Sequence, residues 1–138
     1  MVMTTWLVDK SAFARLSVAA QASVWAERIE RGLVHVTTAT VLEVGYSARS
    51  GDDWSALVTE PPVSRMPVQN LTPAIEARAV EVQGILARRG CHRAPSVPDL
   101  LIAATAELTD LVVLHHDQDF TLIADVTGQP VEELELRS

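Results

Sequence analysis

The chain has 138 residues, of which 48% are hydrophobic and 21% charged. That length supports one domain, residues 1–138, burying roughly 68% of its unfolded surface, and the absence of low-complexity tracts excludes a disordered or fibrous protein. Eleven basic against eighteen acidic residues leave a net charge of −7, which argues against a grip on nucleic acid through overall electrostatics. The longest apolar windows, such as "LLIAATA", are far below the roughly 18 residues of a membrane span, and "MVMTTWLVDK" has no basic leader or cleavage site. A cytoplasmic protein without a membrane segment is expected. The lone Cys91 excludes an internal disulfide and a cysteine-rich zinc site.

In chain order, "TTWLVD" (4–9) predicts a short strand ending in an acid, and 11–32 predicts a helix broken near Ser17 and stopped by Gly32. "LVHVTT" (33–38) alternates as a strand, followed by a helix over 39–51 closed by Gly51. Residues 52–62 form a short helix ended by Pro61 and Pro62, and 63–69 a weak strand that Pro67 confines to an edge. A long amphipathic helix over 72–90 starts at Pro73 and stops at Gly90, and a second helix covers 96–110. "LVVL" (111–114) is a buried strand, 119–129 a helical or looped turn, and "VEELEL" (131–136) a last strand. Strands alternating with helices predict a three-layer α/β/α sandwich around a mainly parallel sheet of four or five strands.

In such sheets ligands bind beyond the carboxyl ends of the strands. Asp9 ends the first strand, and Asp117 with Asp119 follows "LVVL". Glu43 and Asp99 lie near the starts of their helices, which brings them toward the same edge. Each acid also has an ordinary explanation: Asp9 can cap a helix, Ser96 and Asp99 fit a capping box, and Glu43 can face solvent. Their convergence calls for more, because unpaired carboxylates within a few Å repel and stay ionised together only around a cation. An all-oxygen set suits Mg²⁺ or Mn²⁺, ions that typically retain water and phosphate oxygens as further ligands.

With "LVDKSA" (7–12), Glu43, "PDLLIAATA" (98–106) and "HDQDF" (116–120) in this order, the chain resembles the PIN domains and, within them, the VapC toxins of bacterial toxin–antitoxin pairs. The resemblance implies an endoribonuclease dependent on Mg²⁺ or Mn²⁺. It implies catalytic roles for Asp9, Glu43, Asp99 and Asp117, metal binding by Asp9, Asp99 and Asp117, and accessory roles for Asp119, Ser11 and His115. It also implies an RNA substrate, a VapB-type antitoxin and a homodimer. Phe13, Leu16, Val18, Val24 and Trp25 exceed what one helix pair needs for a small core, which leaves some of them open to an interface, with core packing the default. Lys10 and His115 depart from the family's usual hydroxyl residues. The chemistry implied is metal-assisted hydrolysis by water, with Glu43 and Asp117 both open as the group that positions or deprotonates it.

A PIN-like scaffold without catalysis is an alternative reading. A phospho-accepting receiver is a weaker one, because the single lysine, Lys10, sits beside the first acid instead of after a late strand. The pair His115 and His116 lacks transition-metal spacing and cysteine partners, so one imidazole is expected near the pocket and the other against the strand. His35 and His92 read as structural or surface residues. Lys10, Arg15, Arg49, Arg88, Arg89 and Arg93 are candidate phosphate contacts.

Overall fold

The computed structural model describes residues 3–138. Its five-stranded sheet has the order β3-β2-β1-β4-β5, built from β1 (Trp6–Val8), β2 (Val34–Thr37), β3 (Val68–Gln69), β4 (Val112–His115) and β5 (Val131–Glu133). Every strand pair is parallel. All carboxyl ends therefore share one edge, and the expected three-layer architecture is the observed one.

The helices are α1 (Lys10–Phe13), α2 (Ala22–Glu30), α3 (Thr38–Tyr46), α4 (Gly51–Thr59), α5 (Pro73–Arg88), α6 (Val97–Leu108) and α7 (Gln118–Thr127). The layers follow from the two-residue alternation of the strands. On one face, Leu7 and Val113 pack against Ile75, Val82 and Leu86 of α5, Ile102 of α6, and Phe120 and Ile123 of α7. On the other, Trp6, Val8 and Leu114 pack with Ala12, Trp25, Ile29 and Met66. Leu7, Val113 and Leu114 are fully buried, and each such aliphatic side chain contributes about 1.5–3 kcal/mol.

The predicted break near Ser17 is a 3₁₀ turn at Leu16–Val18 between α1 and α2. Gly32 and Gly90 adopt φ of 72° and 74° after their helices, the left-handed conformation that lets the chain leave a helix end. Gly51 differs from expectation. α3 already ends at Tyr46, and Gly51 opens α4, because the Ser50 side chain accepts from the Asp53 amide as an N-cap. The weak strand over 63–69 shrinks to Val68–Gln69 after a 3₁₀ turn at Val63–Arg65. Pro67 lies outside that strand, where its carbonyl still accepts from Val36.

Residues 118–127 are helical, and Gly128 closes them at φ 73°. The last strand stops at Glu133; Leu136 leaves the parallel ladder and bridges Ala19 in antiparallel fashion. Among the described residues no helix is long and apolar enough to cross a membrane. Of the apolar residues in 11–29, Trp25 follows the default and is core, edge-on to Trp6 at 5.1 Å between ring centroids, whereas Val18 is exposed.

Candidate active site

Beyond the carboxyl edge of the sheet lies a cavity of about 450 Å³ lined by Asp9, Glu43, Asp99, Asp117 and Asp119, together with Lys10, Ser11, Arg15, Arg93 and Ser96. The five acids come from four segments of the sequence, and local chemistry places most of them. Asp9 follows β1, is 3% exposed, and caps α1 by accepting from the Ala12 amide at 3.0 Å. Asp117 caps α7, accepting from the Asp119 amide at 2.9 Å. Asp99 closes a capping box with Ser96: its own amide donates to Ser96 Oγ at 3.2 Å, and its carboxylate accepts from the Ser96 amide at 3.4 Å. Glu43 lies on α3, half-buried. Capping and convergence are therefore not competing explanations, because the helix ends hold the carboxylates at the cavity.

Ser11 ties the two central strand ends together. Its hydroxyl lies 2.7 and 2.9 Å from the two Asp9 oxygens, to which it donates, and accepts from the His116 amide at 2.8 Å. His115 is 2% exposed and sits beneath the site: its Nδ1 accepts from the Asp117 amide at 3.2 Å, and its ring lies 5.4 Å from that of Phe120. Burial pushes the His115 imidazole below its usual range, despite the nearby carboxylates of Asp9 and Glu133, so the ring is neutral and Nδ1 is free to accept. His116 turns the other way, with Nδ1 3.2 Å from the Leu134 carbonyl. Neither imidazole lines the cavity.

Electrostatics set the acids against one another. Burial raises the Asp9 carboxyl above the ordinary value, and the bonds from Ser11 and Ala12 oppose it. Burial lifts Asp99 to about 6, with the Asp117 and Asp9 charges adding to the effect. Asp119 is also raised, by burial first and then by Asp117. Groups so arranged hold protons longer than ordinary carboxylates unless a cation compensates them.

Carboxylate oxygens of Asp99, Asp117 and Asp119 lie within 4.8 Å of one another. Asp9 lines the same cavity outside that trio. An oxygen-only donor set, two of its members with raised proton affinity, fits a hard divalent ion such as Mg²⁺ or Mn²⁺ better than zinc.

Of the six candidate phosphate contacts, Lys10, Arg15 and Arg93 line the cavity, whereas Arg49, Arg88 and Arg89 do not. The wall formed by Arg93, Ala94 and Ser96 was not legible from strand ends, since it belongs to the turn between two helices. The Gly90 stop followed by the Ser96 cap was its available signal.

The PIN-domain family model matches residues 6–126. Ribonuclease VapC2 of Mycobacterium tuberculosis (strain CDC 1551 / Oshkosh) is 59% identical, over 94% of this chain and 92% of its own length. Ribonuclease VapC51 of Mycobacterium tuberculosis (strain ATCC 25618 / H37Rv) is 43% identical over 92% and 90%. In fold, the chain is similar to a protein in the crystal structure of DNA-bound VapBC from Salmonella typhimurium, with TM-score 0.75, 20% identity, and coverage of 95% of this chain and 98% of that one. It is also similar to one in the structure of VapBC2 from Rickettsia felis bound to a promoter DNA fragment, with TM-score 0.77, 12% identity, and coverage of 96% and 100%.

Proposed function

Because the chain belongs to the PIN-domain family, and within it to the VapC group, we propose that it is a cytoplasmic Mg²⁺- or Mn²⁺-dependent endoribonuclease, the toxin of a VapBC-type toxin–antitoxin pair. The observation that carries this reading is the gathering of Asp9, Glu43, Asp99, Asp117 and Asp119 around one cavity, with three of their carboxylates near enough to share a cation. On this reading residues 1–138 act as one domain, and the partners are RNA, a VapB-type antitoxin and a second copy of the chain.

Asp99 and Asp117, with Asp9, would hold the ion, and Asp119 stands beside them as an accessory oxygen donor. When bound, such an ion lowers the pKa of a coordinated water and offsets charge on the phosphate oxygens. The chain's own contribution is positional. Ser11 fixes the Asp9 carboxylate through its hydroxyl, and the Ser96 cap fixes Asp99. Glu43 and Asp117 both reach the cavity, and either can orient or accept a proton from the attacking water. Water would supply the new oxygen on phosphorus while the bond to one ribose oxygen breaks, that oxygen leaving as a hydroxyl with a proton from solvent, so no protein nucleophile is needed.

The reading is tested with purified protein and RNA in Mn²⁺, in Mn²⁺ with excess EDTA, and with Asp9→Asn. Cleavage is expected only for the unmodified protein with free metal. Cleavage that persists through both chelation and substitution rules out the metal–carboxylate mechanism. Binding of a partner without cleavage under any condition favours a non-catalytic scaffold.

A further inference from the structure

Lys10, Arg15 and Arg93 line the same space as five carboxylates. Among the described residues, none of the three lies within salt-bridge distance of an acid, although Arg65 and Arg78 elsewhere do so. Arg15 donates instead to the Ser11 carbonyl at 2.8 Å, a bond that holds its guanidinium along α1 without using its charge. Lys10 and Arg93 are exposed.

They come from two separate segments of the chain. Lys10 and Arg15 lie on and just after α1, which follows β1, and Arg93 lies in the turn between α5 and α6, beside the Ser96 cap. Pairing with the local acids would gain these exposed cations little, because a solvated surface ion pair is worth at most about 1 kcal/mol. Cations kept apart from the acids remain available to an incoming anion. With one divalent ion bound, the formal charges of the lining, five acids and three bases, come to zero, so the site stops repelling a polyanion as a whole while keeping separate positive positions.

We propose that Lys10 and Arg15, from the α1 segment, and Arg93, from the α5–α6 turn, bind the phosphates that flank the scissile one, so that a single RNA strand runs through the cavity between those two segments. This inference rests on the ribonuclease reading and adds to it the path of the substrate and the residues that grip it. Arg49, Arg88 and Arg89 do not line the cavity and are outside this path.

Contacts to backbone phosphates release condensed counterions, so each one contributes about −0.7 to the slope of log affinity against log salt for a single strand. The experiment is anisotropy titration of a fluorescein-labelled ten-nucleotide RNA with the full chain at a series of salt concentrations, in a fixed concentration of Ca²⁺, an oxygen-seeking ion used in place of Mn²⁺ so that the acids are compensated. Unmodified protein is compared with Lys10→Ala, Arg15→Ala, Arg93→Ala, Arg93→Lys and Arg31→Ala. Each of the three cavity alanine variants should bind more weakly and lose about 0.7 of slope, so that between about 50 and about 200 mM salt its affinity falls about 2.5-fold less than the unmodified protein's. Arg93→Lys should retain the slope, and Arg31→Ala, remote from the cavity lining, should leave it unchanged.

Slopes unaltered in the cavity variants would overturn the path, as would an equal loss in Arg31→Ala, which would mean diffuse attraction. RNA that is cleaved in Mn²⁺ but does not bind in this assay also overturns it, while leaving the ribonuclease reading intact. If RNA is neither bound nor cleaved, both fall.

Discussion

Two clusters of charge in this molecule are built on opposite principles. On the outer side of α5 and α6, Arg78 is clasped by Glu107, with Nε 2.7 Å from Oε1 and Nη2 3.0 Å from Oε2, and it also contacts Glu81. At the carboxyl edge of the sheet, five acids share a cavity with three cations that do not pair with them. The first cluster is complete within the protein, and bonding to Glu107 raises the Arg78 guanidinium above its usual value. The second is left unbalanced, with Asp99 pushed up to about 6 by burial and by its acidic neighbours. A closed ion pair serves stability, whereas an open set of like charges persists where something outside the chain supplies the missing charge.

Substitutions should separate the two clusters. The largest effect is expected from Asp99→Asn, whose side-chain oxygen can still accept from the Ser96 amide and so keep the helix cap. RNA cleavage should fall by more than about 100-fold, beyond the loss usual for residues that merely support a ligand. The metal-free variant should melt no lower than the parent, since a repelled carboxylate has been removed. A variant that melts much lower and cleaves in proportion to its folded fraction would show that Asp99 serves only as a cap.

Next in size is His115→Phe, which keeps a ring against Phe120 but removes the Nδ1 that accepts from the Asp117 amide. Mn²⁺ affinity, read by calorimetry, should weaken about tenfold. His115→Asn, which can place an oxygen near the position of Nδ1, should recover most of it. Equal affinity in all three proteins would mean that the histidine only fills space.

Glu107→Gln should cost about 1 to 2 kcal/mol of folding stability, because its partner Arg78 is only partly exposed. Mn²⁺ binding should be unchanged, and a coincident loss of metal affinity would erase the distinction between the clusters.

A pH trend examines the open cluster without any substitution. With Asp99 raised from 3.8 to about 6, the folded state binds more protons than the unfolded state across that interval. The metal-free protein should therefore lose stability as pH rises from about 4 to about 6. Saturating Mn²⁺, which competes with those protons, should stabilise the protein increasingly over the same interval. Melting temperatures measured with and without metal check the sign.

Much of this arrangement was readable in the amino acids themselves. "TTWLVD" and "LVVLHHD" show short apolar runs meeting an acid, and the parallel sheet aligns those runs so that Asp9 and Asp117 share an edge. Strand order was not readable, because β1 sits between β2 and β4 through pairings set by packing of distant helices. The Gly51 stop was misread for a local reason that the chain does encode: Ser50 and Asp53 have the same spacing as Ser96 and Asp99, and both serines cap. Alternation in "VEELEL" suggested six strand residues, but β4 ends at His115, so β5 has no partner to follow beyond Glu133. Which histidine lies under the acids depends on the strand's facing, and His115 points inward while His116 turns to the Leu134 carbonyl.

The Ser11 hydroxyl bonds to Asp9 two residues away and to the His116 amide 105 residues away. During synthesis, which proceeds from the amino terminus, the first acid is made long before its distant neighbours. Asp117 and Asp119 join it only when β4 docks between β1 and β5. Pairings this far apart in sequence carry a high loop-closure cost and form late relative to local helices. A nascent chain that has not yet emerged past β5 thus lacks the complete acidic cluster, and a cell making this protein meets the assembled cavity only once that strand has been translated and docked.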